Sequence, residues 1–510
     1  MTERRTRVRF APSPTGPLHI GGVRTALYNY LFAKQQGGDF LLRIEDTDQG
    51  RFVPGAEDYI VQSLKWVGIE ANEGIGFGDG PHAPYRQSER KPMYRQYAEQ
   101  LLAKDLAYYA FDTPEELEQM RERLKASNVE AKYDAITRTT MKNSLTLPAD
   151  ETKRLIDGGF PYVIRIKLPR KEEVRFHDEI RGWVLVNTGQ MDDKVLMKGD
   201  GMPTYHLANV VDDYLMQITH VIRGEEWLPS APLHVLLYRY FGWENVMPKF
   251  AHLPLLLKPE GSGKLSKRDG DKLGFPVFPL QWTDPASGEV ISGYRESGYY
   301  PEAVVNILAL LGWHPSGNKE VFTMEELIAE FSIEKIAKSG AKFDLQKARW
   351  FNQHYLREMD NMALAKSAKP YMTGMDCTDE YLASVCGLAK EKITFINELP
   401  GYVPYFFTQE IKSYDEEVKK KRWKAFMPPF CVEMAASLNS ISDWTSAAIE
   451  GIFNASLEKQ TLQSKDVLQA FRWALSGVGG GPPVFEMAAL LGKERVIARL
   501  ETAAGFEAVA

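Results

Sequence analysis

The residues best suited to chemistry lie in a turn near the start of the chain, where a histidine is followed by two glycines. His19 precedes Gly21 and Gly22, and the segment 12–17 before them is rich in proline and glycine. Prolines there exclude regular structure, whereas the apolar spacing over 20–31 predicts a helix. A helix N-terminus offers free N–H groups to an anion, and glycines allow close approach. The turn therefore indicates a phosphate or nucleotide site, although a helix-capping crossover is an equally good interpretation of this stretch alone.

A second candidate is a short basic loop in which Lys264, Lys267 and Arg268 fall within five residues. Glycines at 261, 263 and 270 flank the cations and are suited to a loop that must move. An apolar run over 253–257 precedes the loop and predicts a buried strand. Taken alone, such a charge cluster is usually a solvated loop, so its interest depends on the first motif.

The two motifs together resemble a known pair. The string His-Ile-Gly-Gly at 19–22 resembles the first signature of the class I aminoacyl-tRNA synthetases, and Lys-Leu-Ser-Lys-Arg at 264–268 resembles the second. Longer strings at 9–16, 43–48 and 221–227 resemble the bacterial glutamyl-tRNA synthetases. The similarity runs from about residue 7 to the C-terminus and is looser after about residue 360. It implies that glutamate attacks the ATP α-phosphate, and that the 3′ ribose hydroxyl of tRNA then attacks the adenylate.

Neither of these steps needs an enzyme nucleophile, because positioning and stabilisation of phosphoryl charge are sufficient. The resemblance implies catalytic roles for four residues: His19, Lys264, Lys267 and Arg268. His19 and Lys267 would stabilise charge on the phosphates, while the rest of the basic loop closes over ATP. The same comparison implies a wider ATP site that also includes Gly21, Glu226, Leu257, Leu265 and Ser266.

The resemblance also implies a glutamate site. It places Arg223 on the α-carboxylate and Glu45 on the α-amino group, with Ala11 and Ser13 beside them. The side-chain carboxylate would meet Arg9, Tyr205 and Asn209, and we expect Arg9 to be its main reader through a bidentate pair.

Each of these residues also has a purely structural interpretation. His19 could cap a helix, Tyr205 could belong to the core, Glu45 could pair with Arg43, and Arg9 could be a surface strand residue. The occurrence of four independent strings in the expected order favours the functional interpretation.

Composition gives broader limits. The chain has 510 residues, 44% hydrophobic and 25% charged, with a formal net charge of -6, which is typical of a globular protein. The acidic balance requires any RNA-binding surface to be a local patch. No apolar run approaches the ~18 residues of a membrane span, and no secretory signal is visible. Three widely spaced cysteines, Cys377, Cys386 and Cys431, suggest a reducing compartment, so we expect a cytoplasmic protein, and a monomer.

The expected fold is an α/β Rossmann-like class I catalytic domain with an inserted α+β connective domain, followed by an all-helical anticodon-binding half. The catalytic domain is assigned to 1–105 and 205–274, and the acceptor-binding insertion to 106–204. A stem-contact domain is assigned to 275–345 and the helical anticodon-binding region to 346–510.

Within the first region, Ser13 and Glu45 follow the predicted strands 7–11 and 40–44, the usual ligand position in an open α/β sheet. Thr113, Pro114 and Glu116 predict a helix start in the insertion, and the apolar run 303–311 predicts a buried helix. The lysines around Trp423 indicate a solvated helix face or, less commonly, a surface for RNA phosphate and a stacked base. About twenty residues before Gly293 look inserted and receive no function.

Metal content is a point where the sequence departs from the family. Many members have Cys-x-Cys within the segment 108–112, but this chain has Ala110 and Asp112 there and no cysteine before Cys377. A four-ligand zinc site cannot form from these residues. We therefore expect no structural zinc, and Mg²⁺ only as part of the ATP substrate complex. An apolar core must then hold the insertion, including Phe111, Leu117, Leu124, Val163 and Ile166.

Several alternatives compete with this interpretation. Glutaminyl-tRNA synthetases carry glutamate where this chain has Ser13 and end in β-barrels. The short paralogue that glutamylates a tRNA base lacks the anticodon domain, and nucleotidyltransferases with a related turn do not need the helical half. A non-catalytic tRNA-binding protein is a further alternative, against which His19 and Lys267 argue. The sequence leaves open whether tRNA(Gln) is charged beside tRNA(Glu), because lysines 390 and 392 stand where an arginine is often found.

Overall fold

A computed structural model describes residues 4–260, 263–266, 270, 272 and 274–509. The chain divides into two compact units. One unit comprises Met1–Glu296 with Val304–Leu345, and the other comprises Ser297–Ala303 with Gln346–Ala510. Over the residues described, no helix is both long enough and apolar enough to cross a membrane.

The first sheet contains three parallel strands, Arg7–Phe10, Asp39–Leu42 and Glu73–Gly74, in that order. The helix Ile20–Gln35 connects the first two strands, and the helix Ala56–Trp66 precedes the third. The strands Arg7–Phe10 and Asp39–Leu42 are each buried except at the first residue. Because parallel strands end at the same edge, the turn that carries His19 lies beside the acidic segment after Leu42.

The second sheet contains four strands in the order Gly182–Asn187, Glu173–Asp178, Lys249–Leu253 and His220–Gly224. The outer pair is an antiparallel hairpin and the other pairings are parallel. The amide of Thr219 donates to the carbonyl of Arg7 at 2.9 Å, which joins this sheet to the first. The hairpin belongs to the stretch that the sequence assigns to the insertion, so part of that stretch extends the sheet of the catalytic region.

The insertion itself has an antiparallel sheet of Ala107–Ala110, Val163–Ile166 and Val195–Met197. Thr113 caps the helix Pro114–Ala126 in a reciprocal box with Glu116, as its sequence predicts. Asp112 accepts hydrogen bonds from the Lys142 amide at 2.7 Å and the Tyr133 hydroxyl at 2.8 Å. The aspartate that replaces a family cysteine therefore fastens the strand end to the following loop.

The apolar core expected for the insertion is present, although its members differ in burial. Phe111 and Ile166 are fully enclosed, whereas Leu117, Leu124 and Val163 pack partly buried around a small cluster. That cluster consists of Tyr108, Ala110, Met120, Tyr133 and Met141. Its tyrosines also donate to carboxylates, Tyr108 to the buried Asp193 and Tyr133 to the half-buried Asp112, so polar contacts and apolar packing act together here.

One strand prediction for the first unit is wrong. The run 253–257 is not a single strand, because Leu253 ends the strand Lys249–Leu253 and Pro254 follows it. A separate short strand, Leu256–Leu257, pairs with Ala341–Lys342. The apparent insertion before Gly293 forms a small hairpin of Trp282–Thr283 and Val290–Ile291.

The described part of the first unit contains six further α-helices. The helix Pro301–Leu310, which crosses the unit boundary, is almost fully buried, as its apolar sequence predicts. The others are Lys91–Ala103, Ala149–Asp157, Tyr205–Leu215, Ala231–Phe241 and Met324–Glu330.

The second unit is built from helices around one apolar core. Their bounds are Leu345–Glu358, Asn361–Ala368, Asp379–Ala389, Leu399–Tyr402, Glu416–Arg422, Met427–Asn439, Ser446–Lys459, Ser464–Ser476, Val484–Leu491 and Lys493–Ala504. Trp423, which stands among lysines and suggested base stacking, is fully buried, and its indole donates to the Phe506 carbonyl at 3.3 Å. A nucleic-acid base therefore cannot stack on it.

Candidate active site

A cavity of about 610 Å³ opens at the carboxyl ends of the strands Arg7–Phe10 and His220–Gly224. Most of the predicted site residues line it. They are Arg9, Ala11, Ser13, His19, Gly21, Glu45, Tyr205, Asn209, Arg223, Glu226, Lys264 and Leu265. Residues that are more than 250 positions apart in sequence therefore meet around one space, which is the arrangement expected of a ligand site.

The other predicted residues have different positions. Leu257 and Ser266 are not part of the cavity lining. Leu257 instead forms a backbone bridge with Lys264, so it anchors the start of the basic loop. Lys267 and Arg268 lie outside the described residues.

His19 stands at the N-cap of the helix Ile20–Gln35. Its Nδ1 accepts the amide of Gly21 at 3.1 Å, which requires the proton of a neutral imidazole to reside on Nε2. Burial, aided by the charge of Lys264, lowers the pKa of His19 to about 4, so the ring is neutral at pH 7. Its Nε2 is buried and has no hydrogen-bond partner within the described part of the chain. A buried donor without a partner is costly, which makes this N–H a candidate ligand contact.

The two glycines after His19 have different reasons to be glycine. A Cβ at Gly22 would lie 2.5 Å from a terminal methyl of Leu18, so the leucine side chain would have to shift. A Cβ at Gly21 would make only ordinary contacts, at 3.5 Å or more. Gly22 therefore lets Leu18 pack closely against the helix, whereas the absence of a side chain at Gly21 leaves space in the cavity.

A buried polar network connects the ends of the first two strands to the helix Tyr205–Leu215. We call it the buried cluster, and its members are Arg9, Arg43, Glu45, Asn209 and Asp213. Arg9 donates to both oxygens of Asp213, from Nε at 3.0 Å and from Nη2 at 3.2 Å. Arg43 bridges Asp213 at 2.8 Å and Glu45 at 2.9 Å, and Asn209 donates to Glu45 at 3.0 Å. Burial alone would raise the pKa of Asp213, but the two arginines outweigh it and lower that pKa.

These contacts modify the expectations for the individual residues. The Nε–Nη2 edge of Arg9 is already bound to Asp213, so a ligand would meet the Nη groups at the end of the guanidinium. Glu45 does pair with Arg43, but this pairing and the bond from Asn209 both use Oε1. Its second oxygen, Oε2, is therefore the one suited to an ammonium group.

Arg223 is buried and has a different environment from Arg9. It donates to the Tyr205 hydroxyl at 2.6 Å, to His252 Nε2 at 3.1 Å and to the Trp227 carbonyl at 3.3 Å. No carboxylate forms an ion pair with it among the residues that the structure describes. Burial lowers its pKa, yet a guanidinium remains charged. A buried cation held only by neutral groups is suited to bind an anionic ligand.

The side chains around His19 form a second group, the open cluster: His19, Glu226 and Lys264. Lys264 Nζ donates to Glu226 at 2.8 Å, and the two side chains are 58% and 42% exposed. An exposed pair of this kind contributes about 0–1 kcal/mol. Lys264 can therefore exchange Glu226 for an anionic ligand at little cost.

Sequence reasoning missed several residues that shape the site. Asp213 and Arg43 organise the buried cluster, while Trp227, Thr25 and Arg51 also line the cavity. A signal for Asp213 was present, because Asp212 and Asp213 directly follow the apolar pair Val210 and Val211. Two acidic residues in such a position indicate buried partners.

Comparison with protein families gives two matches. A family model described as tRNA synthetases class I (E and Q), catalytic domain, matches residues 5–350. A model described as an anticodon binding domain matches residues 363–504.

Individual relatives are similar over almost their whole length. A glutamate–tRNA ligase of Cytophaga hutchinsonii is 55% identical over 518 residues, which covers 98% of both chains. One from Porphyromonas gingivalis is 55% identical over 506 residues, with 99% of both chains covered. The crystal structure of a glutamate tRNA ligase from Elizabethkingia meningosepticum, in complex with its amino acid, matches with a TM-score of 0.95 at 49% identity. That match covers 98% of this chain and 99% of the other.

Proposed function

Because this chain belongs to the glutamate–tRNA ligases, a family of class I aminoacyl-tRNA synthetases, we propose that its cavity activates L-glutamate with ATP and transfers it to tRNA(Glu). The first step forms glutamyl-adenylate and releases pyrophosphate. The second esterifies the 3′ end of the tRNA. The chain's own groups position the reactants and stabilise phosphate charge, which is sufficient for both steps.

The environment of Arg223 is the observation that carries this proposal. Arg223 is a buried cation whose hydrogen-bond partners are a phenol, an imidazole and a carbonyl. A neutral environment of this kind leaves a full positive charge for a ligand carboxylate. We assign Arg223 to the α-carboxylate of glutamate, whose attack on the ATP α-phosphate begins the reaction.

Together with Arg223, the buried cluster is complementary to glutamate in charge. Arg9 can meet the side-chain carboxylate through its Nη groups, and Glu45 Oε2 can accept from the α-ammonium. Tyr205 and Asn209 are proposed contacts of the same side chain, and each is also bonded to another binding residue. Ala11 and Ser13 complete the wall beside them. Two cations and one carboxylate thus face a ligand with two carboxylates and one ammonium.

The open cluster is complementary to the phosphates of ATP. The Nε2–H of His19 and the N-terminus of its helix can donate to phosphate oxygens. Lys264 can leave Glu226 for the same ligand, and the resemblance assigns Lys267 and Arg268 to this group. Gly21, Glu226, Leu257, Leu265 and Ser266 are proposed for the rest of the ATP site. Mg²⁺ would enter with ATP, and we propose no structural zinc, since Ala110 and Asp112 replace the expected cysteines.

We further propose that the helical unit recognises the anticodon, that the insertion around Asp112 holds the acceptor end, and that the region 275–345 contacts the stem. The match of residues 363–504 to an anticodon binding domain supports the first assignment. Free Cys377, Cys386 and Cys431 fit a cytoplasmic site of action. We also propose a monomer, since the described residues of one chain line a cavity that brings together the proposed contacts for glutamate.

ATP–pyrophosphate exchange in the presence of tRNA tests the proposal. We expect exchange that depends on glutamate, together with charging of purified tRNA(Glu). A parallel reaction with glutamine instead of glutamate controls for substrate choice, and purified tRNA(Gln) tests the breadth of charging. A protein that binds tRNA but supports no glutamate-dependent exchange would be a non-catalytic relative, and the proposal would be wrong.

A further inference from the structure

Three buried side chains form a chain of hydrogen bonds across neighbouring strands of the second sheet. Arg223 and His252 are directly paired in register on the strands His220–Gly224 and Lys249–Leu253. Asp178 ends the adjacent strand, where it pairs with Phe250. The distances are 3.1 Å from Arg223 Nε to His252 Nε2 and 2.6 Å from His252 Nδ1 to Asp178 Oδ2.

The chemistry of these groups determines where the proton of His252 lies. A guanidinium can only donate, so His252 Nε2 must accept from Arg223. The imidazole proton therefore resides on Nδ1 and is donated to Asp178. Burial lowers the pKa of His252 although Asp178 opposes this shift, so the ring is neutral. The other oxygen of Asp178 accepts the amides of Ile180 at 3.0 Å and Arg181 at 2.8 Å.

We propose that Asp178 and His252 are positioning residues that orient Arg223 for the α-carboxylate of glutamate. This inference rests on the proposed function of the cavity. The two residues fix the imidazole in the one tautomer that can accept from Arg223. The His252 ring also lies between the Asp178 carboxylate and the Arg223 guanidinium, so these two charges are not in direct contact. Arg9, in contrast, is bound directly to a carboxylate, so the two substrate-binding arginines are oriented by different means.

The Asp178→Asn variant tests the tautomer directly. The backbone amides of Ile180 and Arg181 require an oxygen at their end of residue 178, so the amide NH₂ of asparagine would face His252 Nδ1. That ring nitrogen must then accept, and the proton moves to Nε2, where it opposes the Arg223 Nε–H. We expect the Kd for glutamate to rise about 10- to 100-fold, because a hydrogen bond to a charged group is lost. The KM for ATP should be unchanged.

Two further variants separate orientation from simple structural support. His252→Gln retains a carbonyl oxygen that can accept from Arg223, whereas His252→Leu retains none. We expect glutamate binding close to normal in the first and weakened in the second. His177→Gln is the matched control, because His177 is adjacent to Asp178 in sequence but lies on the exposed face of the same strand. Thermal unfolding of every variant shows whether it folds.

Nitrogen NMR of histidine-labelled protein reports the tautomer independently of binding. The proposal expects an Nδ1–H signal for His252 in the wild type and an Nε2–H signal in Asp178→Asn. It is overturned if the wild type carries the proton on Nε2, or if the folded Asp178→Asn variant binds glutamate normally. Should Asp178→Asn not fold, equal glutamate binding by His252→Leu and His252→Gln would overturn it. If the wild type binds no glutamate, or if Arg223→Ala binds it normally, the proposed function of the cavity is wrong instead.

Discussion

The two charged clusters around the cavity differ in how much of their structure is fixed in advance. In the buried cluster, every charged group of the network has a partner, and Arg43 and Asp213 are at most 2% exposed. In the open cluster, His19 is half-buried, while Lys264 and Glu226 form an exposed ion pair. Lys267 and Arg268, which the resemblance assigns to the same phosphate site, lie outside the described residues.

This difference suggests a division of tasks between specificity and chemistry. Buried ion pairs hold a rigid geometry because breaking one leaves an uncompensated charge, so the buried cluster can present a preorganised surface to the amino acid. An exposed pair exchanges partners easily, so the open cluster can be assembled around phosphate. We therefore expect substitutions in the buried cluster to affect glutamate binding, and those in the open cluster to affect turnover.

The largest effect is expected from Arg9→Ala. Its loss leaves the side-chain carboxylate of glutamate desolvated and unpaired, at a cost of roughly 2–5 kcal/mol. The KM for glutamate should rise accordingly, while the KM for ATP remains near normal. Asp213 keeps Arg43 as a partner, so we expect the variant to fold, which thermal unfolding can verify. An unchanged KM for glutamate with normal turnover would remove Arg9 from the site.

Lys267→Ala should give the next largest effect and the opposite pattern. A cation needed as phosphate charge develops contributes about 10²–10³ in rate. We expect activation to fall by this factor, measured as ATP–pyrophosphate exchange, with tRNA binding and glutamate affinity retained. Normal charging by this variant would contradict the assignment of the basic loop.

His19→Asn separates the two roles of that residue. Asparagine is a good N-cap, so the helix Ile20–Gln35 should remain stable, but the Nε2–H donor is lost. We expect turnover to fall about tenfold or more, in the range of one lost hydrogen bond to a charged group. If His19 serves only as a cap, His19→Asn will have wild-type turnover, and the Nε2–H group can then no longer be assigned as a phosphate donor of the open cluster.

The pH dependence of stability should come from three histidines, of which only His19 belongs to a cluster, the open one. Burial lowers the pKa values of His206 and His220 to about 4, as for His19. Above pH 6.5 these rings are neutral in both folded and unfolded chains. Between pH 6.5 and about 4 the unfolded chain binds protons that the native chain does not, so the free energy of unfolding falls as pH is lowered. Thermal unfolding from pH 7 to 5 measures this, and His220→Gln should show a smaller decrease.

The sequence was sufficient for elements whose signal is local. The cap at Thr113, the helix after His19 and the buried helix Pro301–Leu310 follow from capping chemistry and apolar spacing. The prediction of one strand over 253–257 was wrong because Pro254 interrupts the apolar run, and composition alone does not show that the run forms parts of two strands.

Contacts between distant residues were beyond sequence reasoning. The bidentate bond of Arg9 to Asp213 joins residues 204 positions apart, and no local pattern specifies it. The burial of Trp423 likewise depends on tertiary packing, whereas the pairing of Glu45 with Arg43, two residues apart, was already an alternative that the sequence offered. Most of the residues that the resemblance named line the cavity, whereas the partners that orient them became visible only in the folded chain. The finer domain boundaries stay predictions.

The central claim is that the amino-acid site is formed before ATP and tRNA arrive. Calorimetric titration of glutamate into the protein alone, without ATP or tRNA, tests it most directly in three samples: wild type, Arg9→Ala and Lys267→Ala. We predict that the wild type and Lys267→Ala bind glutamate with the same Kd, and that Arg9→Ala shows little or no binding. Absence of binding by the wild type, or equal binding by Arg9→Ala, would contradict the account.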